Sequence, residues 1–174
     1  EAAFKRCILP IMKDDVLHET AYSIVSDQIE KLSVHYKAQA HPRPINIFYL
    51  TDQLRERIER KDGTWKVVNT DISWTEAELL QEMESNPERF SPNVILRGLL
   101  QESILPDVAF IGGGAEVAYW LQLKPLFEHY KVFYPAILLR QSVLWIEPAP
   151  AKLRAQLKLG SADIFKPEVE LVRQ

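Results

Sequence analysis

Three consecutive glycines, Gly112–Gly114, stand where a ligand is most easily held, because apolar residues precede them and helix formers follow. Glycine lets a backbone turn sharply and approach another molecule without a Cβ in the way. A helix that starts just after them presents free N–H groups and the positive end of its dipole. Strand, glycine turn and helix in this order are typical of ligand sites in α/β proteins. We therefore expect Leu105–Tyr130 to form the centre of a binding site.

The flanking residues predict the elements that position this turn. The apolar runs Val108–Ile111 and Pro135–Arg140 predict two buried strands, with a helix from Ala115 between them. Strand, helix and strand make a βαβ unit, in which the carboxyl ends of the parallel strands lie together. We therefore expect Arg140 and Ser142 to lie beside the glycine turn, where open α/β sheets bind ligands.

Glu116 narrows the chemistry that this turn can support. It falls in the first turn of the predicted helix, where the helix dipole stabilises a carboxylate, and that structural role is one account of it. A fixed anion at this position would also repel a phosphate. Our hypothesis is that Glu116 receives an ammonium group or a sugar hydroxyl, while the glycine N–H groups receive a carboxylate.

Other polar and aromatic side chains could complete such a site. Tyr119 and Trp120 follow on the same helix, where Trp120 could wall the pocket or belong to the core. Arg97 and Gln101 share one face of a predicted helix over Val94–Leu105, and they could face either the glycine turn or solvent.

Several common site classes do not fit the sequence. The dinucleotide fingerprint G-x-G-x-x-G fails at Val117, and the acidic residue expected about 20 positions later is absent. No Gly-Lys-Ser/Thr follows the glycines, which disfavours a P-loop. The histidines have no spacing that would favour a zinc site, and we expect no metal. No catalytic triad or dyad can be defined, so the catalytic residue is unassigned.

Length and composition favour a globular domain. The 174 residues are 47% hydrophobic and 26% charged, and the net charge of −3 gives no reason to expect nucleic acid or an anionic membrane as a partner. No apolar run approaches the length of a membrane span. The single cysteine, Cys7, excludes an internal disulfide, which is compatible with the reducing cytoplasm. Because it lies in an apolar run, we expect its side chain to be buried.

Local signals divide the chain into four predicted segments. Residues 1–44 form a helical lead-in, with a helix that is capped by Asp14 or Asp15 and continues to about Tyr36. Residues 45–89 contain a strand over Ile45–Leu50, a hairpin with an Asp-Gly turn, and a helix whose capping box begins at Ser73. Residues 90–147 hold the βαβ unit, and residues 148–174 are helical.

The run FSPNVILRGLLQESILPDVAFIGGGAEVAYWLQLKPLFEHYKVFYPAILLRQSVLWIE resembles the cysteine-adding enzymes of bacillithiol biosynthesis. HPRPINIFYL before it and KLGSADIFKPEVEL after it are similar to the same family. Members of that family are considerably longer, so we expect this chain to be an internal segment that is inactive by itself. It would lack the N-terminal part of the nucleotide-binding core and a C-terminal coiled coil.

The resemblance implies an α/β fold, a Rossmann-like parallel sheet portion with an inserted β-hairpin and helical segment, related to class I aminoacyl-tRNA synthetases. The implied reaction joins the carboxyl group of cysteine to the amine of glucosaminyl-malate, the last step of bacillithiol synthesis, in the cytoplasm. That kinship makes adenylation by ATP the expected activation, and a homodimer through the coiled coil is compatible with it. The substrate-binding positions carried over are Asn93, Arg97, Gln101, Gly112, Gly113, Gly114, Glu116, Tyr119, Trp120, Arg140 and Ser142.

Two features depart from that family pattern. The turn reads GGGAE where a proline-containing GGPGE-like turn is expected, and the synthetase-type histidine motif is absent. Two other functions stay open from the residues alone: a non-enzymatic domain that binds a carboxylated metabolite, and a nucleotidyltransferase-like enzyme with a different substrate.

Overall fold

The computed structural model describes residues 2–172, which pack as two compact units that meet in the sequence between Arg140 and Gln141. The helices of the first unit are α1 (Ala2–Arg6), α2 (Leu9–His18), α3 (Thr20–Leu32), α4 (Glu76–Ser85), α5 (Val94–Ile104) and α6 (Gly114–Tyr130). Its strands are β1 (Ile47–Thr51), β2 (Leu54–Lys61), β3 (Thr64–Val67), β4 (Ser73–Trp74), β5 (Phe90–Pro92), β6 (Ala109–Gly112) and β7 (Ala136–Leu139). The second unit contains α7 (Pro148–Gln156) and α8 (Glu168–Leu171).

The predicted hairpin is confirmed and belongs to a five-stranded antiparallel sheet of order β4-β3-β2-β1-β5. Its turn has Asp62 at φ 51° and Gly63 at φ 75°, the left-handed pair that matches the twist of two antiparallel strands. One face of the sheet buries its side chains in the core, including Ile47, Ile58 and Trp65. β5 was not predicted, because a three-residue strand ending in proline carries little periodicity.

The predicted βαβ unit is confirmed, and β6 pairs in parallel with β7 from Ala109↔Ala136 to Gly112↔Leu139. The predicted burial of its strands is wrong, since Ile111 is 65% exposed and Leu139 68% exposed. Phe110 and Ile137 on the other face pack against the core, on the side where α6 lies. Within the described residues no element covers the other face of β6 and β7, so each of these apolar strands is buried on one face only.

The long N-terminal helix predicted from Asp14 or Asp15 is also wrong. α2 begins at Leu9 and ends at His18, and α3 ends at Leu32 rather than near Tyr36. Glu19 interrupts them in the left-handed region, with φ 56°. Asp15 lies within α2 rather than at the start of a helix, so it is not a cap. Its side chain is completely buried and accepts a hydrogen bond from Asn46.

Two local predictions need smaller corrections. The capping box of α4 is formed by Thr75 and Glu78, whose Oε2 accepts the Thr75 N–H at 2.8 Å, whereas Ser73 lies in β4. Ser73 and Thr75 each begin a Ser/Thr-x-x-Glu pattern, and the helix is capped by the later residue, Thr75. Cys7 is exposed, whereas Ile8, Leu9 and Met12 are the members of its apolar run that enter the core.

The second unit carries helices within the predicted helical segment 148–174, and residues 141–147 form no strand. The last described helix of that segment, α8, begins at Glu168, and residues 173 and 174 lie outside the described part of the chain. Among the described helices, none combines the length and the apolar character that a membrane span requires.

Gly98 allows α5 and α6 to approach closely. A Cβ on this residue would lie 3.1 Å from Phe127 Cζ and 3.4 Å from Trp120 Cη2. Phe127 and Trp120 are both buried, so they have little room to move away. The absence of a side chain at residue 98 therefore sets the distance between these two helices.

Replacing Gly98 by valine should lower the free energy of unfolding by about 2 kcal/mol, because the added methyl groups overpack this contact. Urea denaturation measures the change. Gln81→Val on the exposed face of α4 is the control for placing a β-branched residue in a helix. Equal losses in the two variants would show that α5 and α6 do not depend on this close approach.

Candidate functional site

A buried hydrogen-bond network fixes the start of α5. Asp15 Oδ2 accepts the Asn46 backbone N–H at 2.6 Å, and Asp15 Oδ1 accepts the Asn46 side-chain N–H at 3.2 Å. Asn46 Oδ1 in turn accepts the Asn93 side-chain N–H at 3.0 Å. Asn93 Oδ1 caps α5 by accepting the Ile95 N–H at 2.8 Å. The structure therefore places Asn93 as a helix cap whose amide already has partners.

α5 presents the two polar side chains that the sequence places on one face. Arg97 lies one turn after the cap, where its N–H donates to Asn93 O at 2.9 Å and its side chain is exposed. Gln101 donates to Glu102 at 3.1 Å and to Asp107 at 3.2 Å. Because Asp107 precedes β6, the structure places Gln101 in a network that holds the loop between α5 and β6.

The glycine turn joins β6 to α6 as predicted. The Gly113 N–H donates to Glu116 Oε2 at 2.8 Å, and the first intrahelical bond runs from Val117 N to Gly113 O at 2.9 Å. The N–H groups of Gly114, Ala115 and Glu116 therefore have no partner inside the helix. Glu116 fulfils the structural role considered for it, since its carboxylate caps the helix with one of its two oxygens.

The three glycines of the turn differ in what a side chain at each position would meet. A Cβ on Gly112 would lie 2.7 Å from Phe110 Cε1, and a Cβ on Gly113 would lie 2.9 Å from Arg140 Nη2. A Cβ on Gly114 would meet no atom within 4 Å. The Phe110 ring therefore requires glycine at residue 112, whereas a Cβ at residue 113 would displace only the end of the flexible, exposed Arg140 side chain.

Arg140 lies beside the turn, as the βαβ unit predicts. Its N–H donates to Gly112 O at 2.8 Å, and its guanidinium packs over Gly113 on the side where Glu116 Oε2 also lies. Within the described part of the chain, neither Arg97 nor Arg140 has a carboxylate at ion-pair distance. Ser142 belongs to the second unit, where its side chain is exposed.

Charged side chains on both α5 and α6 influence the pKa of the Tyr119 hydroxyl. Burial raises the pKa of its hydroxyl, and the negative charge of Glu116 raises that pKa further. The Trp120 indole N–H and the positive charge of Arg97 act in the opposite direction. The Tyr119 phenol is therefore a neutral group that can donate or accept a hydrogen bond.

Trp120 occupies the core rather than the surface of a pocket. It is 1% exposed, its ring centroid lies 4.6 Å from that of Phe110, and its carbonyl oxygen accepts the Tyr134 hydroxyl at 2.8 Å. Its buried indole N–H has no partner at full hydrogen-bond geometry among residues 2–172, although it lies near enough to the Tyr119 hydroxyl to lower the pKa of that group. The structure thus gives Trp120 a packing role behind the glycine turn.

The structure brings two of the predicted groups together at Gly113, the Arg140 guanidinium and the Glu116 carboxylate. A third predicted group, the Tyr119 hydroxyl, feels the charges of both Glu116 and Arg97. Two cations can bind carboxylates, and the acid can accept an ammonium or a hydroxyl group. Sequence reasoning missed the supporting network of Asp15 and Asn46. Its one signal is a polar Asn46 within the apolar run at the start of β1.

A βαβ unit with its polar groups at the carboxyl ends of parallel strands defines an α/β protein of the Rossmann-like class. Residues 1–141 match the family described as the Rossmann-like N-terminal domain of the bacillithiol biosynthesis protein BshC. The chain therefore belongs to the BshC family, as the sequence resemblance indicates.

Curated relatives support this membership. Proteins named "Putative cysteine ligase BshC" from Flavobacterium johnsoniae and Flavobacterium psychrophilum are each 44% identical to this chain, over 99% and 98% of its length. A protein of the same name from Bacillus pumilus is 41% identical over 63% of the chain. The chain spans 32% of the length of the two Flavobacterium proteins.

The pH dependence of stability should report on the buried Asp15. Burial raises the pKa of this carboxyl from 3.8 to about 7 in the folded state, and the charges of Asp14 and Glu19 act in the same direction. The folded state therefore binds a proton that the unfolded state has released. The free energy of unfolding should fall as pH rises from about 4 to about 7, by up to about 4 kcal/mol for this group.

Asp15→Asn should remove this part of the pH dependence, which urea denaturation at about pH 5 and about pH 7.5 measures. Asp27→Asn is the matched control, because Asp27 is exposed on α3. If wild type and Asp15→Asn lose the same stability over this interval, then Asp15 is already ionised in the folded protein.

Proposed function

We propose that the full-length protein containing this chain joins cysteine to glucosaminyl-malate through an amide bond and thereby completes bacillithiol. The juxtaposition of the Arg140 guanidinium and the Glu116 carboxylate at the glycine turn is the observation that carries this proposal. The family description supplies bacillithiol biosynthesis, and the names of the relatives supply cysteine ligation. Because the chain spans about a third of those relatives, the activity is proposed for the full-length protein.

The chemical groups of glucosaminyl-malate suit the groups around Gly113. Its malate carboxylates can pair with Arg140 and Arg97, and they can also accept N–H groups from the first turn of α6. Its ammonium group suits Glu116, which has an oxygen left after capping Gly113. A sugar hydroxyl suits Tyr119. In this arrangement the four groups bind and orient the substrate that provides the amine.

The net reaction forms a C–N bond between the sugar amine and the carboxyl carbon of cysteine, breaks a C–O bond at that carbon, and releases the departing oxygen as water or on the group that activates the carboxyl. The amine must lose a proton before it attacks, and we assign no residue as the base. Glu116 is proposed to bind the ammonium form and to aim the nitrogen, an effect of orientation that lowers the entropic part of the barrier.

ATP is the expected activator of the cysteine carboxyl group, but the glycine turn does not fit a polyphosphate. The Gly113 N–H is already bound by Glu116, and the carboxylate stands at the same helix end that a phosphate would use. We therefore assign the turn to glucosaminyl-malate and propose that ATP, where it is used, is held by other residues. No step through ATP is derived from these residues.

Glu116→Gln separates the charge of this side chain from its capping role, since glutamine also serves in a capping box. The dissociation constant for glucosaminyl-malate should rise about tenfold or more, because a charge-assisted hydrogen bond to the ammonium is lost. Calorimetric titration of the full-length protein measures this change. Glu128→Gln, exposed on the same helix, is the control. Unchanged affinity in Glu116→Gln would contradict the proposed contact.

Bacillithiol formation in cells that lack their own cysteine-adding enzyme tests the function itself. The full-length protein should restore cysteine-dependent bacillithiol, measured as the labelled thiol, and Arg140→Met should reduce it at least tenfold. Arg6→Met, exposed on α1, should restore it fully. If the folded and expressed wild-type protein restores nothing, the ligase proposal is wrong.

A further inference from the structure

A second polar cleft lies between β2 and the segment that precedes β1. The pairing of β1 with β2 extends only from Thr51↔Leu54 to Phe48↔Arg57, whereas β2 continues to Lys61. Where the two segments diverge, they leave a cleft of about 310 Å³ whose lining shares no residue with the glycine turn. Its charged lining residues are Glu19, Arg43, Arg57, Glu59 and Arg60.

Hydrogen bonds hold these segments apart, so the cleft is part of the fold. Asn46 cannot continue the pairing with β2 because its N–H donates to the buried Asp15. Asn46 also closes a turn with Arg43, accepting the Arg43 N–H at 3.0 Å and donating to Arg43 O at 2.7 Å. Pro44 between them has no N–H with which to bond a neighbouring strand.

The three arginines of the cleft differ in whether they already interact with other side chains of the protein. Arg57 pairs with Glu59 at 3.4 Å. The Arg60 guanidinium lies over the Trp65 ring, with Cζ 4.7 Å from the ring centroid, and it has no ion pair within the described part of the chain. Arg43 is exposed and has no ion pair within the described part of the chain. Arg43 and Arg60 are thus the guanidiniums available to a ligand.

The remaining charge in the cleft sets the kind of ligand. After Arg57 and Glu59 neutralise each other, Arg43 and Arg60 face a single acid, Glu19. Glu19 also precedes the first residue of α3, so the positive end of that helix dipole borders the cleft. This charge balance favours a ligand that carries both an oxyanion and hydroxyl groups. The oxyanion would bind the two arginines, and Glu19 would accept hydrogen bonds from the hydroxyl groups. The volume is at the small end of metabolite sites.

We propose that this cleft binds a small organic anion, which presents a carboxylate or a phosphate group to Arg43 and Arg60. Guanidinium groups bind both oxyanions through paired N–H donors, so the two ligand types share one chemistry. This site is independent of the function proposed for the glycine turn.

Calorimetric titration of the full-length protein with inorganic phosphate and, separately, with succinate tests the proposal and distinguishes the two ligand types. At least one anion should bind saturably, and the double variant Arg43→Met, Arg60→Met should weaken that binding at least tenfold. Arg55→Met is the matched control, since Arg55 lies on β2 over the Phe48 ring and outside the cleft. The control should keep its dissociation constant within twofold.

Hydrogen–deuterium exchange locates the binding and checks that the variants fold. The anion should slow exchange in peptides that cover residues 43–46 and 57–61, and Arg60→Lys should retain part of this protection because it keeps the charge. Saturable binding that is equal in the double variant and in Arg55→Met would overturn the proposal. So would protection confined to the glycine turn, or no saturable binding of either anion.

Discussion

The buried carboxylate of Asp15 is the constraint on which most of the first unit depends. A completely buried acid must find donors inside the protein, and Asn46 provides two of them. This contact fixes where β1 begins relative to α2, and through Asn93 it fixes where α5 begins. Because Arg97 lies one turn beyond that cap, a contact in the core determines where a charged side chain emerges at the candidate site.

The glycine turn shows how one residue can serve folding and chemistry together. Glu116 stabilises the start of α6 by accepting the Gly113 N–H, and this bond also holds the carboxylate at a defined place beside Arg140. A charged group that is fixed by the backbone loses little further freedom when it binds a ligand. The capping role therefore supports the binding role rather than competing with it.

The sequence predicts those features that depend on neighbouring residues. The Asp-Gly hairpin, the helix after Asn93 and the parallel pairing of β6 with β7 all follow from local turn chemistry and periodicity. The burial of Asp15 depends on Asn46, which is 31 positions away, and no local pattern encodes that contact. The prediction that β6 and β7 are buried is wrong for a related reason. Periodicity identifies apolar residues but does not show whether another layer of the structure covers them.

The uncovered face of β6 and β7 has a consequence for how the chain behaves at high concentration. Within residues 2–172 each of these strands pairs only with the other, so each has an outer edge of N–H and C=O groups that no neighbouring strand in the sheet uses. Exposed leucine and isoleucine side chains lie beside those edges. Unpaired edges next to apolar surface promote strand addition between molecules. The strand pair that frames the candidate site is therefore also where aggregation of this chain would begin.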